Sequence, residues 1–154
     1  MISQKAKYAL RALVLLARAH ARDEALIIAD IAERQHIPKK FLEQILLDLK
    51  RHGLLDSRRG KHGGYALLRP ADKITFGEVL RIVDGPTAPL PCLSRMAYRR
   101  CEDCDGEAQC EVRKIFAEVA TATRAVLDQR TIADAIADEP ADDAGAARPG
   151  VAAG

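Results

Sequence analysis

Midway along the chain the hydrophobic repeat changes from helical to alternating, beside a cluster of cationic residues. In PKKFLEQILLDLKRHG, residues 38–53, Leu42, Ile45, Leu46 and Leu49 recur three and four positions apart, the spacing of one helix face. Pro38 suits the first turn of a helix and disfavours helical backbone before it; Gly53 suits a C-terminal cap. The next stretch, LLDSRRGKHGGYALLRP, has short apolar runs at 54–55 and 65–68 around a turn rich in Gly and Arg, which predicts a small β-hairpin. A helix with a defined start and stop, followed at once by a basic hairpin, leaves few folds open.

The remaining segments narrow the choice. Residues 3–22 place Ala6, Leu10, Leu13 and Ala17 on one helix face. ARDEA turns the chain. LIIADIAERQHI predicts a short helix with Ile28, Ile31 and Ala32 inward, ended by HIPKK. Beyond the hairpin, KITFGEVLRIVDG predicts a helix over 75–84, and PTAPLP breaks it. Residues 111–137 read as one long helix striped by Val112, Ile115, Phe116, Val119, Thr123, Val126 and Leu127. Such a stripe needs a partner, and a second copy of the same helix supplies one, so a homodimer is expected. The last 17 residues, DEPADDAGAARPGVAAG, offer almost nothing to bury and are expected to be disordered.

The expected fold class is therefore mainly α: a winged helix-turn-helix with a small β-hairpin wing, plus a long C-terminal dimerisation helix. Its expected divisions are a DNA-binding domain (1–85), a cysteine-rich loop (86–110), a dimerisation helix (111–137) and a tail (138–154). With 4% aromatic residues and no Trp, the core has to be aliphatic.

Charge names the partner. Residues 34–69 carry nine Lys or Arg against three acidic residues, and the first 22 carry five basic residues and no acidic one. From Asp134 onward, five acidic residues face one Arg. A basic N-terminal half suits a polyanion. In a winged helix-turn-helix the second helix of the pair enters the major groove, here presenting Lys39, Lys40, Phe41, Glu43 and Gln44. Gln44 can pair with adenine, and Glu43 can accept from a cytosine amino group. Arg58, Arg59, Gly60 and Lys61 would form the wing tip, where glycine allows close approach and arginine suits a narrow minor groove. GKHGG lacks the spacing of a nucleotide-binding loop. No apolar run approaches the ~20 residues of a membrane span, and the early apolar positions are interleaved with Lys5, Lys7, Arg11 and Arg18. A cytoplasmic protein is expected, with its thiols reduced.

All four cysteines lie within 92–110, spaced C-x8-C-x2-C-x5-C: Cys92, Cys101, Cys104 and Cys110. Thiolates are soft ligands that suit iron–sulfur clusters and zinc. The neighbouring Glu102, Asp103, Asp105 and Glu107 disfavour bare thiolates unless a cation offsets them, which points to metal. Structural zinc, a thiol–disulfide switch and inert thiols are the alternatives. Zinc sites commonly use two CxxC-like pairs, and only Cys101 and Cys104 form one. No substrate-pocket motif or catalytic base accompanies that pair, so an enzyme is not expected.

Taken together, KYAL, the segment IADIAERQHIPKKFLEQILLDLKRHGLLDSRRGKHGGYALLRP and ITFGEVLRIVDG resemble the IscR/NsrR/RirA family of bacterial regulators. FLEQIL, GLLDSRRG and GGY are the most telling pieces, and the resemblance spans roughly residues 1–137. It implies a homodimeric winged-helix transcription regulator acting on double-stranded operator DNA. It also implies a cluster, [2Fe–2S] or [4Fe–4S], held by three cysteines before the dimer helix, that reports iron, redox or nitric oxide status. Positions matching Phe41, Glu43, Gln44, Arg59 and Gly60 lie at the family's DNA interface; Lys39 and Lys40 differ in type from relatives, which bears on sequence preference. Cys104 and Cys110 match the second and third ligands. Cys92, with eleven residues between it and Cys104, and Cys101, with two between, compete for the first. Arg113 and Tyr8 stand where, or near where, some relatives supply a fourth ligand. The alternative is a zinc-bound or cluster-free winged-helix repressor switched by thiol oxidation or a small molecule.

Overall fold

Helix α1 (Gln4–His20) is the element around which the others assemble. Its N-terminus is capped by Ser3, whose Oγ accepts from the Ala6 N–H at 3.0 Å, while the Ser3 N–H donates to Asp84 at 2.9 Å. Ala9, Ala12, Ala17 and Ala19 are small enough for neighbours to approach α1 from several sides, and all are buried together with Leu13, Leu15 and Leu16. The computed structural model describes residues 2–137; the expected disorder of 138–154 concerns residues outside that range.

Helices α2 (Ile28–Gln35) and α3 (Lys39–Arg51) form the helix-turn-helix. The turn between them works because His36 takes a left-handed conformation (φ 51°), Ile37 plugs into the core and Pro38 precedes α3. All four stripe residues of α3, Leu42, Ile45, Leu46 and Leu49, are fully buried, and Gly53 (φ 72°) ends the helix as expected. Strands β1 (Leu55–Arg58) and β2 (Gly64–Leu67) pair antiparallel, with Leu55 opposite Leu67 and Arg58 opposite Gly64. Helix α4 (Phe76–Asp84) follows, its N-terminus capped by Thr75, whose Oγ1 accepts from the Glu78 N–H at 3.1 Å. Two further helices, α5 (Glu111–Gln129) and α6 (Ile132–Ala137), complete the described chain.

Two expectations need correction. Leu26 and Ile27 are extended rather than helical: Leu26 exchanges hydrogen bonds with Tyr65 at 2.9 and 2.7 Å and adds a rung to the hairpin. Gly64 permits this, because a Cβ there would meet the Leu26 carbonyl carbon at 2.5 Å. Second, residues 111–137 are two helices. The chain leaves helical geometry at Arg130, and Thr131 restarts it with a reciprocal cap: its N–H donates to Asp134 Oδ2 at 2.8 Å, and the Asp134 N–H donates to Thr131 Oγ1 at 3.1 Å. The Thr131 N–H, and then its hydroxyl, hold the Asp134 carboxyl below its ordinary pKa, so the cap contributes above the usual carboxylate range and is lost as pH falls through the lowered value.

The bend returns α6 to the core. The Phe76 N–H donates to the Arg130 carbonyl and the Ile132 N–H to that of Ile74, both at 2.9 Å, and the Ile132 side chain is fully buried against the α1 cluster. Ile132→Ala is therefore expected to cost about 2–5 kcal/mol, measured by denaturant unfolding. A loss below about 1 kcal/mol would show that α6 is not held in the core.

Candidate DNA-binding surface and cysteine loop

Because α3 turns Leu42, Ile45, Leu46 and Leu49 inward, Lys39, Lys40, Glu43 and Gln44 face outward. No acidic residue sits in its first turn, so the two lysines add to the positive end of the helix dipole. Phe41 is half-exposed and meets Tyr8 of α1 edge-on, with ring centroids 5.8 Å apart. Gln44 is held in place: its Nε2 donates to Asp48 Oδ1 at 3.0 Å, and Asp48 Oδ2 accepts from Lys5 at 2.8 Å. The amide oxygen and second N–H of Gln44 remain for the paired contact that an adenine takes. Lys5, then Gln44 and Arg51, hold the Asp48 carboxyl below its usual range against an opposing effect of burial, so this brace is charged at neutral pH.

The wing loop spans residues 59–63, and Arg59, Gly60 and Lys61 are exposed at its tip. Gly60 needs its freedom, with φ at 102°. Gly63 lies so close to the turn that a Cβ would meet the Arg58 carbonyl at 2.6 Å. Arg58 leans to Asp23 at 3.7 Å, whereas Arg59 and Lys61 have no acidic partner among the described residues. A Lys50–Ser57 hydrogen bond joins α3 to β1. Sequence reading did not single out Lys5, Asp48 or Ser57. The four-residue step from Gln44 to Asp48 was a usable signal, but nothing local announces the long-range contact of Lys5.

Between α4 and α5 the chain has one regular element, a 3-10 turn at Pro91–Leu93. Cys92 is buried in that turn, while Cys101, Cys104 and Cys110 are half-buried further along, and all four are free thiols. Cys104 interacts with the thiols of both Cys101 and Cys110, which push its pKa up to about 12; Cys92 is not among its partners. Cys101 and Cys110 thus both neighbour Cys104, while Cys92 lies in the 3-10 turn and its charge bears on Tyr98. Cys110 caps α5, its Sγ accepting from the Arg113 N–H at 3.4 Å, so one thiol sits at the positive end of a helix. Glu107 accepts from Tyr98 and pairs with Arg113 at 3.3 Å, cross-linking the loop; Arg113 Nε is buried without a partner.

Among the described residues, no three His, Cys, Asp or Glu side chains are drawn into a closed metal-binding set. The donor chemistry nevertheless fits a thiolate-ligated metal. A Cys104 thiol that its neighbours Cys101 and Cys110 keep protonated becomes a ligand when a cation offsets the charge of its thiolate.

The Rrf2 family, described as iron-dependent transcriptional regulators, matches residues 2–138. This chain belongs to the Rrf2 family. It is 50% identical over 139 residues to a protein of Rhodobacter capsulatus named as an rrf2-like HTH-type transcriptional regulator, covering 89% of this chain and 93% of that one. Among solved structures it is similar to CymR, the global cysteine regulator of B. subtilis, with a TM-score of 0.76 and 29% identity, covering 91% and 98% of the two chains. It is also similar to IscR of T. potens, with a TM-score of 0.72 and 27% identity, covering 97% and 93%. The fold is the winged helix of Rrf2 regulators, and the chain is a transcriptional regulator rather than an enzyme. Among the described residues, no helix is long and apolar enough to cross a membrane.

Proposed function

We propose that this Rrf2 regulator works in the cytoplasm as a homodimer that binds operator DNA and senses iron, redox or nitric oxide status through an iron–sulfur cluster. The carrying observation is the gathering of Cys101, Cys104 and Cys110 at the N-terminus of α5. These three residues would hold the cluster, [2Fe–2S] or [4Fe–4S]; Cys92, buried in the 3-10 turn, is left out. Bound there, a cluster supplies redox chemistry and reactivity toward oxidants to the loop.

The protein's own residues do the rest. Lys39, Lys40, Phe41, Glu43 and Gln44 of α3 meet the major groove, with Gln44 braced by Asp48 and Lys5. Arg58, Arg59, Gly60 and Lys61 carry the wing to the minor groove or backbone. Two copies pairing along the exposed stripe of α5 would set the spacing of two α3 helices, about one DNA turn or ~34 Å. The state of the cysteine loop biases operator binding by the difference in its contacts between two arrangements of that dimer.

The adjacency of three thiols also favours a second reading, a cluster-free or zinc-bound repressor switched by oxidation of the same cysteines. The test has two parts. Protein purified without oxygen is expected to contain iron and sulfide in matching amounts, with visible absorbance that bleaches in air or nitric oxide; zinc or no metal moves the switch to the second reading. Separately, Arg59→Ala is expected to weaken operator binding at fixed salt by roughly 1–3 kcal/mol. Unchanged affinity would remove the wing arginine from the interface.

A further inference from the structure

A cavity of about 220 Å³ lies where the DNA-binding domain, the start of the cysteine loop and α5 meet. We propose that it is a binding site for a small organic anion, a carboxylate on a short apolar body. The reading is independent of whether the cysteines hold a cluster.

Size sets the first limit. The volume is below the roughly 300–1,000 Å³ of pockets for drug-sized ligands, so a metabolite of few atoms fits. Its apolar wall comes from Pro86, Leu93, Met96 and Ala120. Its charge is one-sided. Arg81, Arg95 and Arg124 line it against a single carboxylate, Asp128. That carboxylate is already taken: Arg81 pairs with Asp128 at 2.7 Å, over a face of α4 left open by Gly77, where a Cβ would overlap Asp128. Arg95 and Arg124 have no acidic partner among the described residues.

Two uncompensated guanidiniums beside an apolar wall suit a carboxylate, which arginine can hold through two parallel hydrogen bonds. Ser94 adds a donor. It is buried at 7% exposure, and its Oγ accepts from the Ala97 N–H at 2.9 Å, which leaves its own proton to give. The cavity residues Ala120, Arg124 and Asp128 recur four apart along α5, beside the apolar stripe, whose Thr123 also lines the cavity. Pairing along that stripe would leave the guanidinium of Arg124 and the carboxylate of Asp128 on the cavity side and bring the partner up to its Thr123 rim. An anion in this place would touch α4, the loop just after Cys92 and the dimer helix at once.

The experiment is an amide NMR titration of the full chain with acetate, butyrate and benzoate, and with neutral benzamide as control, to about 10 mM, the weak end for a small ligand. The expected result is a saturable response to butyrate or benzoate confined to residues around Arg81, Ser94 and Arg124, with benzamide at least about tenfold weaker. Arg124→Gln, and Arg95→Gln with it, should weaken the carboxylate by about tenfold or more without lowering the melting temperature. Equal binding of benzoate and benzamide, shifts centred on the wing lysines and arginines, an unaffected Arg124→Gln variant, or no saturable response to any of the three carboxylates would each overturn the proposal.

Discussion

Val119→Glu is expected to yield a folded monomer with operator affinity lower by about a hundredfold or more, since linked half-site contacts commonly contribute that much. Val112, Ile115, Phe116, Val119 and Val126 leave α5 as an exposed apolar row, 39–61% accessible, with only Ala120 of that helix buried. Val119 is outside the core cluster built on α1, so the winged domain has no reason to unfold. A two-fold axis would place the new carboxylate at the interface twice, and each buried charge costs several kcal/mol unless paired. Sedimentation velocity reads the assembly and a DNA titration reads the affinity. A variant that stays dimeric would move the interface off this stripe.

Cys104→Ala is expected to abolish both bound iron and visible absorbance, whereas Cys92→Ala should keep them. Cys104 is the thiol that both Cys101 and Cys110 neighbour, so losing it leaves two sulfurs at the site. Cys92 packs in the 3-10 turn at the other end of the loop, and its replacement trims a small buried side chain. The comparison uses anaerobic protein with iron, sulfide and zinc counted per chain. A coloured Cys104→Ala protein beside a colourless Cys92→Ala one would reverse the ligand assignment.

The DNA-reading half was legible because its signals are local. Pro38 and Gly53 bracket α3, the buried positions follow one helical stripe, and glycines mark the wing. Where the sequence misled, distant contacts decided. Leu26 looks helical beside Ile28 and Ile31, yet its backbone pairs with Tyr65, far along the chain. The apolar repeat of α5 runs through Arg130 into Ile132, which hides a turn that TIAD could have disclosed as a reciprocal cap. Spacing could not rank the four cysteines, because in a loop sequence distance says little about which thiols meet. The brace on Gln44 was half visible, in its step to Asp48, and its other half comes from α1.

The bend at Arg130 and Thr131 makes α5 a rod with a fixed pivot. Its C-terminal end is pinned by Ile132 in the core and by Arg81 on Asp128, while its other end carries Cys110. Nineteen residues separate pivot from tip, about 28 Å of helix. Cys110 thus sits at the long end of a lever whose fulcrum is the winged domain. Under the proposed sensing role, an event at the thiols would reach the DNA-reading surface as a change in the heading of that rod, with the shape of the winged domain left intact.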